Sequence, residues 1–441
     1  MEQTIAKTSI GIIGAGYVGL TTGVCLSELG QHVICVDSDQ DKLTMLQRGR
    51  APIYEPDLEP LLQKNLSRGT LQFTKDIKAT VQRCETIFIC VNTPPKPNGQ
   101  ADLRFVEQVA KEIAIALPDA YRVIVDKSTV PVHTAEKVAE TIRRYNSTAK
   151  SFDVVSNPEF LREGSAIHDT MYPDRIVIGA SSARARAVMK KIYEPILRQS
   201  GAKLCEVSIR SAELIKHGAN SLLATKISFA NLVAEACENA GADAAEVLHG
   251  IGLDKRIGRQ FLQPGIGFGG SCFPKDIAAF RFTLETLGVS ADFITAVERI
   301  NHNAFQRFLK LIERELWVLD GKSVCIFGVA FKANTDDIRN APALRLMHAL
   351  VKAGAHVTAY DPKANQKAQH LVPEATYFDD PYTAAQKAEA IVVCTEWDEF
   401  AHLDWNRLRK IVITPIVFDG RNITDRNAAT KAGFTWHGIG N

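Results

Sequence analysis

One cysteine, Cys272, lies in a segment that suits nucleophilic chemistry. It follows the glycine-rich run Gly267-Phe268-Gly269-Gly270-Ser271 and precedes Lys275 and Asp276. Glycines let a backbone approach a ligand closely, and a neighbouring ammonium stabilises the thiolate form of cysteine. Most free cysteines are buried and inert. We expect that state for the cysteines that lie in apolar segments: Cys25, Cys35, Cys90, Cys325 and Cys394.

Two polar residues, Lys216 and Asn220, fall within a long predicted helix. Apolar periodicity predicts this helix over residues 211–239, and Gly241 ends it. Side chains four residues apart share one helix face, so this pair could act on one ligand. The same spacing is common on solvated helix surfaces, and it leaves both interpretations open.

The N-terminal segment has the pattern of a nucleotide-binding βαβ unit. A predicted strand over residues 10–13 leads into Gly14-Ala15-Gly16-Tyr17-Val18-Gly19, a helix follows, and a strand over residues 32–36 ends at Asp37. Here Gly14 makes a tight turn, Gly16 admits a pyrophosphate and Gly19 allows close helix packing. A carboxylate at Asp37 accepts from the ribose 2′-hydroxyl and repels a 2′-phosphate, which favours NAD over NADP. The alternative is that Asp37 only caps a turn.

Further strands are predicted over residues 86–91, 123–126 and 153–156, and each ends in a polar, proline-containing loop. Such loops line the ligand crevice of an open parallel sheet. The pattern then recurs in weaker form, with strands over residues 323–327 and 357–360 around a helix over residues 343–353, and a strand over residues 391–395. Its turn lacks the other glycines, so we expect a mononucleotide there. Three cationic residues could bind its phosphate or could equally be ordinary surface charges: Lys332, Arg339 and Arg421.

These elements predict an α/β protein in which two Rossmann-like, doubly wound domains are joined by a long central helix and a helical domain. We place an NAD-binding domain at residues 1–205, a central helical domain with the cysteine loop at 206–315, and a second Rossmann-like domain for a mononucleotide group at 316–441. A chain of 441 residues is too long for one ordinary core.

Composition excludes several classes of partner. The chain has 52 Lys and Arg against 50 Asp and Glu, a net charge of +2 without basic runs, so neither nucleic acid nor an anionic membrane surface is indicated. No apolar stretch reaches the length of a membrane span. Nine cysteines without a CxxC spacing favour neither a disulfide framework nor structural zinc. We expect a cytoplasmic protein with a small-molecule partner and no metal.

Over nearly its whole length the chain resembles the UDP-glucose 6-dehydrogenases within the UDP-glucose and GDP-mannose dehydrogenase family. The resemblance is carried by GAGYVG (14–19), KSTVPV (127–132), NPEFLREGSAIHD (157–169), the Lys216 and Asn220 helix, DKRIG (254–258), GFGGSCFPKD (267–276), FGVAFKANTDDIR (327–339) and DGRNI (419–423).

The resemblance implies oxidation of the sugar C6 alcohol to a carboxylate in two hydride transfers to NAD, through a thiohemiacetal and a thioester on Cys272. Lys216 and Asn220 would then stabilise the oxyanions, Glu159 would serve as acid–base residue, and Asp276 would position water. The resemblance places Thr129 both among the catalytic residues and among the residues that bind the cofactor.

The resemblance also implies a homodimer with a central-helix core, in which Arg256 reaches the second subunit. Residues implied near NAD are Gly14, Gly16, Tyr17, Val18, Gly19, Asp37, Lys42, Thr93, Thr129, Glu163, Lys275 and Arg339. Residues implied near UDP-glucose, in or beyond the loop 263–269, are Glu159, Phe160, Leu161, Arg162, Glu163, Lys216, Asn220, Arg256, Phe261, Gly265, Phe268, Gly269, Phe331, Lys332 and Arg421.

The sequence departs from the family pattern at one position, and three other interpretations compete with this one. His133 replaces the usual glycine after TVPV, which puts the shape of that turn in question, and we expect His133 to be a surface residue. A one-step hydroxyacid dehydrogenase would not explain Cys272 or the third domain. A GDP-mannose dehydrogenase shares the chemistry, although residues 172–179 are more similar to the UDP-glucose group. A non-catalytic NAD-binding scaffold would have no use for Cys272.

Overall fold

The computed structural model describes residues 9–148 and 151–440, which form two compact units. The first comprises the chain as far as Ala219 together with Ala278–Leu287, and the second comprises Asn220–Ile277 and the chain from Gly288 onward. Each unit is built on its own mainly parallel sheet.

The first unit has an eight-stranded sheet in the order β3-β2-β1-β4-β5-β6-β7-β8, parallel except where β6 meets β7. Its strands are β1 (Ser9–Ile13), β2 (His32–Val36), β3 (Leu71–Thr74), β4 (Thr86–Ile89), β5 (Arg122–Asp126), β6 (Phe152–Ser156), β7 (Arg175–Ala180) and β8 (Lys203–Val207). Its helices are α1 (Tyr17–Glu28), α2 (Gln40–Gln47), α3 (Leu58–Ser67), α4 (Ile77–Arg83), α5 (Arg104–Ala116), α6 (Thr134–Tyr145), α7 (Ala166–Met171) and α8 (Ala183–Ser200).

Both faces of this sheet are covered, which explains the continuous apolar runs of its strands. Alternate residues enter separate clusters: Ile12 and Phe88 pack on one face, and Ile13 and Ile87 pack on the other. The register of β1 aligns Ile10 with both Val33 and Thr86 and so places the loops after β1, β2 and β4 at one edge.

Four helices follow the first sheet, and two of them pass from one unit to the other. They are α9 (Ile209–Ala240), α10 (Ala244–Gly252), α11 (Phe273–Thr286) and α12 (Asp292–Leu316). The unit boundary crosses α9 between Ala219 and Asn220, and it crosses α11 between Ile277 and Ala278. The predicted helix over residues 211–239 is therefore confirmed, with slightly wider bounds.

The second unit has a six-stranded parallel sheet in the order β11-β10-β9-β12-β13-β14. Its strands are β9 (Ser323–Phe327), β10 (His356–Tyr360), β11 (Thr376–Phe378), β12 (Ala390–Val393), β13 (Ile416–Asp419) and β14 (Thr435–His437). Its later helices are α13 (Pro342–Lys352), α14 (Asn365–Gln369), α15 (Pro381–Ala384), α16 (Asp398–Ala401), α17 (Trp405–Ile411) and α18 (Arg426–Lys431).

The strand order of this second sheet repeats the first six positions of the first sheet, which is the Rossmann order. The predicted fold class is therefore confirmed. Within residues 9–148 and 151–440, no helix has the length and apolar composition that a membrane span requires.

Candidate active site

The glycine loop between β1 and α1 has the geometry of a phosphate-binding turn. Gly14 has a φ of 101°, and its N–H donates to the carbonyl oxygen of Val36 at 2.8 Å. A side chain on Gly19 would clash with the carbonyl oxygen of Gly14, whereas one on Gly16 would meet open space. Tyr17 begins α1, and Gly16 caps it without a side-chain hydrogen bond, so this open position lies at a helix start, which suits a phosphate.

Asp37 lies at the end of β2 and is held as a charged acceptor. Its carboxylate accepts from Ala15 N–H at 2.9 Å, from Asp39 N–H at 3.0 Å and from Lys42 Nζ at 2.9 Å. Burial raises the pKa of Asp37, but the hydrogen bonds from Asp39 and Lys42 outweigh it and hold the pKa below its ordinary value. The open glycine loop and the ionised Asp37 together fit the pyrophosphate and ribose of NAD.

The second Rossmann fold has its own aspartate, Asp361, at the position that corresponds to Asp37. Gly328 N–H donates to Tyr360 O at 2.8 Å, as Gly14 does in the first fold. However, Asp361 is buried and accepts from Val329 N–H at 2.8 Å, Ala330 N–H at 3.0 Å and Trp397 Nε1 at 3.2 Å. Because Asp361 is only 3% exposed and Trp397 covers its carboxylate, we expect no ribose to bind there as it would at the more accessible Asp37.

Helix α9 holds the loop that carries Thr129. Glu213 accepts from the N–H groups of His133 at 2.8 Å and Ala135 at 2.9 Å, and so caps the start of α6. His217 Nε2 lies 2.8 Å from Val130 O. Thr93 Oγ1 donates to Thr129 O at 2.9 Å from the loop after β4. Glu213 and His217 were missed in the sequence, where helical spacing to Lys216 was the only available signal.

Glu55 connects the glycine loop with the segment that follows β6, and sequence reasoning also missed it. The buried carboxylate of Glu55 accepts from the Tyr17 hydroxyl and from the N–H groups of Gly164 and Ala166, both at 2.6 Å. Burial and Glu55 together raise the pKa of Tyr17 far above its ordinary value. The neighbouring Glu163 adds to this rise in the pKa of Tyr17 through its charge.

Lys216 forms a buried ion pair with Glu159 in the first unit. Lys216 Nζ donates to Glu159 Oε1 at 2.7 Å, and the two residues are only 4% and 7% exposed. Glu159 Oε2 accepts from Leu161 N–H at 2.8 Å, and the Lys216 ammonium lies 5.5 Å from the centre of the Phe160 ring. The structure therefore excludes a solvated surface for Lys216.

Asn220 makes the corresponding contact in the second unit. Its amide donates to Asp276 Oδ2 at 2.6 Å, and both residues are buried. Lys275 Nζ donates to the other carboxylate oxygen of Asp276 at 2.5 Å. Asp276 thus takes one amide and one ammonium, and the charge of Lys275 is shared with this carboxylate.

Cys272 directly precedes α11 and is half-buried. Its carbonyl oxygen accepts from Asp276 N–H at 2.8 Å, so the thiol lies at the N-terminal, positive end of this helix. A helix N-terminus stabilises a thiolate. The cysteines predicted to be inert are buried, and burial raises the pKa of Cys25, Cys90, Cys325 and Cys394 to about 12. Cys35 is buried too, and its pKa is also raised.

Arg421 joins three segments of the second unit around the cysteine loop. Its guanidinium donates to Cys394 O at 2.9 Å, to Gly267 O at 3.4 Å and to Phe331 O at 3.3 Å. The half-buried Lys332 follows Phe331. The Phe268 ring packs edge-on against Phe273 at 5.8 Å.

Three predicted ligand-binding arginines are exposed, and each forms an ion pair with an aspartate nearby in sequence. Arg162 pairs with Asp169 at 2.7 Å, Arg256 with Asp254 at 2.6 Å and Arg339 with Asp337 at 2.6 Å. The Arg256 side chain is 88% exposed. Each guanidinium is therefore paired within its own segment, and the ligand roles of the arginines stay predictions.

His133 adopts the backbone conformation that the usual glycine would supply. Its φ is 76°, in the left-handed region, and it directly precedes α6. Its ring Nδ1 lies 2.8 Å from Glu136 Oε2. The turn therefore keeps the shape expected of a glycine, with backbone strain at His133.

Comparison with known proteins agrees with this architecture. Models of the UDP-glucose/GDP-mannose dehydrogenase family match residues 8–197 (NAD binding domain), 210–303 (central domain) and 325–426 (UDP binding domain). The chain belongs to the UDP-glucose/GDP-mannose dehydrogenase family. The resemblance seen in the sequence is confirmed. The predictions that the protein is an oxidoreductase and that NAD is its cofactor are confirmed as well.

Several relatives align over nearly the whole chain. It is 43% identical to the UDP-glucose 6-dehydrogenase TuaD of Bacillus subtilis, covering 98% of this chain and 93% of that protein. It is 44% identical to the UDP-glucose 6-dehydrogenase of Rhizobium meliloti, with 98% and 99% covered. A UDP-glucose dehydrogenase structure from Pyrobaculum islandicum superposes with a TM-score of 0.92 at 37% identity, covering 100% of this chain and 99% of that one.

The described part of the chain holds no group of three His, Cys, Asp or Glu side chains arranged to bind a metal ion.

Proposed function

We propose that this protein oxidises the C6 alcohol of UDP-glucose to a carboxylate. The observation that carries the proposal is the placement of Cys272 at the start of α11, after a glycine loop that Arg421 contacts. The relatives from Bacillus subtilis and Rhizobium meliloti are named UDP-glucose 6-dehydrogenases, which supports UDP-glucose over GDP-mannose as substrate. The two hydrides that leave C6 would go to two molecules of NAD, which bind the first Rossmann fold one after the other and each accept one hydride.

Cys272 makes the second oxidation possible, because an aldehyde must become tetrahedral before it can release a hydride. The thiolate adds to the C6 aldehyde and forms a thiohemiacetal. Loss of the second hydride from C6 leaves a thioester, and water then displaces Sγ to give the carboxylate and the free thiol. Because the aldehyde is captured on Sγ, it does not leave the enzyme.

We assign the oxyanion-stabilising role to Lys216 and Asn220. The Lys216 ammonium supports the alkoxide before the first hydride leaves and the oxyanions of both tetrahedral species, and the Asn220 amide adds a second donor. Glu159, which already accepts from Lys216, takes the proton of the attacking group through one water. Asp276 positions the water that hydrolyses the thioester. Thr129 contributes to catalysis from the side of the site that binds the cofactor.

The remaining predicted residues bind the two ligands. NAD is held by the glycine loop, Asp37, Lys42, Thr93, Thr129, Glu163, Lys275 and Arg339. The sugar nucleotide is held by residues 159–163, Arg256, Phe261, Gly265, Phe268, Gly269, Phe331, Lys332 and Arg421. The open position at Gly16 and the ionised Asp37 support the first assignment.

We propose a homodimer that packs along α9, with Arg256 reaching the second subunit. Large apolar side chains stand exposed on this helix, with Leu222 63% and Phe229 45% exposed, and a second copy would cover them. We retain the division into domains at residues 1–205, 206–315 and 316–441. All nine cysteines lie within the described residues, and none of them forms a disulfide there, which supports the cytoplasm as the compartment.

End-point NADH yield with limiting UDP-glucose tests this function. We expect about two NADH for each sugar nucleotide consumed, because capture on Cys272 prevents release of the aldehyde. A yield near one with free aldehyde would reject the thioester route. A faster reaction with GDP-mannose would reject the substrate while leaving the chemistry in place.

A further inference from the structure

Asparagine amides hold the backbone that leads into Cys272. Asn231 Oδ1 accepts from Gly265 N–H at 2.8 Å at the beginning of this segment. Asn340 Nδ2 donates to Gly270 O at 3.2 Å near its end. Between them, Asn301 of α12 binds both backbone groups of Phe268.

The contact of Asn301 is the most complete of the three. Asn301 Oδ1 accepts from Phe268 N–H at 2.7 Å, and Asn301 Nδ2 donates to Phe268 O at 3.1 Å. A side-chain amide that binds both the N–H and the C=O of one residue makes the same pair of hydrogen bonds that a neighbouring β-strand would make. Gly267 has a φ of 98°, and a side chain there would lie 3.0 Å from Asn301 Oδ1, so α12 lies directly against this turn.

The five residues from Phe268 to Cys272 have little freedom to absorb a shift. Gly270 has a φ of 83°, and a Cβ on it would lie 2.7 Å from the Phe331 ring. A Cβ on Gly269 would clash with Asn340 O. Cys272 then begins α11 through its carbonyl oxygen. A displacement at Phe268 therefore reaches the thiol and its place at the helix N-terminus.

We propose that Asn301 is a positioning residue for the nucleophile, which acts through the Phe268 backbone to set the location of the Cys272 thiol. The fold of α12 does not depend on Asn301, because the helix is anchored by buried apolar side chains: Ile294, Val297, Phe305, Phe308 and Ile312. The expected effect on turnover rests on the proposed function. The expected effect on the reactivity of the Cys272 thiol does not.

The test compares Asn301→Ala with the wild type and with Asn303→Ala, a matched change at an exposed position on the same helix. Three quantities are measured: the pH midpoint of Cys272 alkylation by iodoacetamide, followed on the Cys272 peptide by mass spectrometry; kcat and KM for UDP-glucose; and the melting temperature. Alkylation needs no sugar substrate, so it remains informative if UDP-glucose is not turned over.

We expect Asn301→Ala to raise the alkylation midpoint by about one pH unit, because the thiol moves from the helix N-terminus. We also expect kcat to fall about tenfold or more with a smaller change in KM, since a misplaced reacting group costs rate. Equal alkylation midpoints in Asn301→Ala and Asn303→Ala would overturn the proposal. An alkylation shift in a protein that ignores UDP-glucose would reject the proposed substrate alone.

Asn301→Asp decides the matter if the alanine variant does not fold. It keeps an acceptor for Phe268 N–H and loses the donor to Phe268 O. We expect its alkylation midpoint to lie above that of Asn303→Ala and its kcat to be lowered about threefold or more. A folded Asn301→Asp with the values of Asn303→Ala would overturn the proposal.

Discussion

Lys216 and Glu159 form an ion pair at 2.7 Å in which both side chains are almost fully buried. Removing one partner of such a pair leaves an uncompensated buried charge, which costs about 3–5 kcal/mol of stability. Any loss of activity in a variant of either residue must therefore be measured on protein shown to be folded. Glu159 also accepts from Leu161 N–H, so the pair fixes the start of the loop after β6.

Substitutions at Cys272 and Lys216 should separate the two oxidation steps. Cys272→Ala should abolish UDP-glucuronate formation yet still reduce the UDP-glucose 6-aldehyde with NADH, because hydride transfer between alcohol and aldehyde needs no thiol. Lys216→Ala should slow that reduction by about 10²-fold, since it removes the oxyanion donor.

The assay supplies the 6-aldehyde with NADH and follows its reduction, and Cys205→Ala is the control at another incompletely buried cysteine. Reduction by Cys272→Ala no faster than by Lys216→Ala would refute the assigned roles. Near wild-type formation of UDP-glucuronate by Cys272→Ala would refute them equally.

Cofactor choice should depend on Asp37 and on the lysine it binds. Asp37→Ala should raise KM for NAD and narrow the preference over NADP, because the carboxylate that accepts from the ribose is lost and the Lys42 ammonium is released. Adding Lys42→Ala should remove any gain with NADP. Steady-state kinetics with both cofactors measure this, with Asp41→Ala as the control on an exposed neighbour. An unchanged NAD/NADP ratio in Asp37→Ala would place the discrimination elsewhere.

Asp126→Asn should stabilise the protein increasingly as pH rises. Asp126 is buried at the end of β5, neither of its carboxylate oxygens has a hydrogen-bond partner among the described residues, and burial together with Glu213 raises its pKa well above the ordinary value. When the pKa of a group is higher in the folded protein than in the unfolded chain, its contribution to the free energy of unfolding is fully present below the unfolded-state pKa. That contribution is lost as pH rises through the folded-state pKa. The wild type thus loses about 1.4 kcal/mol per pH unit through this one group.

Urea unfolding of the wild type and of Asp126→Asn between pH 5 and about pH 8 measures this difference. The variant should gain on the wild type with each step in pH. A constant difference across that range would show that Asp126 ionises in the folded protein as it does in the unfolded chain.

His133→Gly should be more stable than His133→Ala. Both remove the exposed contact with Glu136, which is worth little, but only glycine adopts a φ of 76° without strain. We expect a difference of about 1 kcal/mol in the free energy of unfolding. Urea unfolding at neutral pH compares the two, and equal values would show that the turn carries no backbone strain.

Phe229→Glu should disrupt the proposed dimer by placing a charge on the exposed apolar face of α9. Leu371→Glu is a matched control, since Leu371 is 53% exposed in the second Rossmann fold. Light scattering after gel filtration should give about half the mass for Phe229→Glu and no change for Leu371→Glu. A monomeric wild type, or a dimeric Phe229→Glu, would reject α9 as the interface.

Contiguous segments made the fold predictable from the sequence alone and singled out Cys272 as the candidate nucleophile. The glycine loop, the acid after the next strand and the apolar strand runs are local patterns, because each reflects dihedral angles or hydrogen bonds within one βαβ unit. Cys272 stood out for the same reason, since the glycines around it are its neighbours in sequence.

Only the tertiary structure decided which distant residues meet. Lys216 reaches Glu159 across 57 residues, Asn220 reaches Asp276 across 56, and Asn301 reaches Phe268 across 33. No periodicity encodes such pairs, because they depend on how whole helices pack against loops. The burial that turns Lys216 from a surface lysine into an ion-paired one is likewise a property of that packing, since sequence spacing carries no information about solvent exposure.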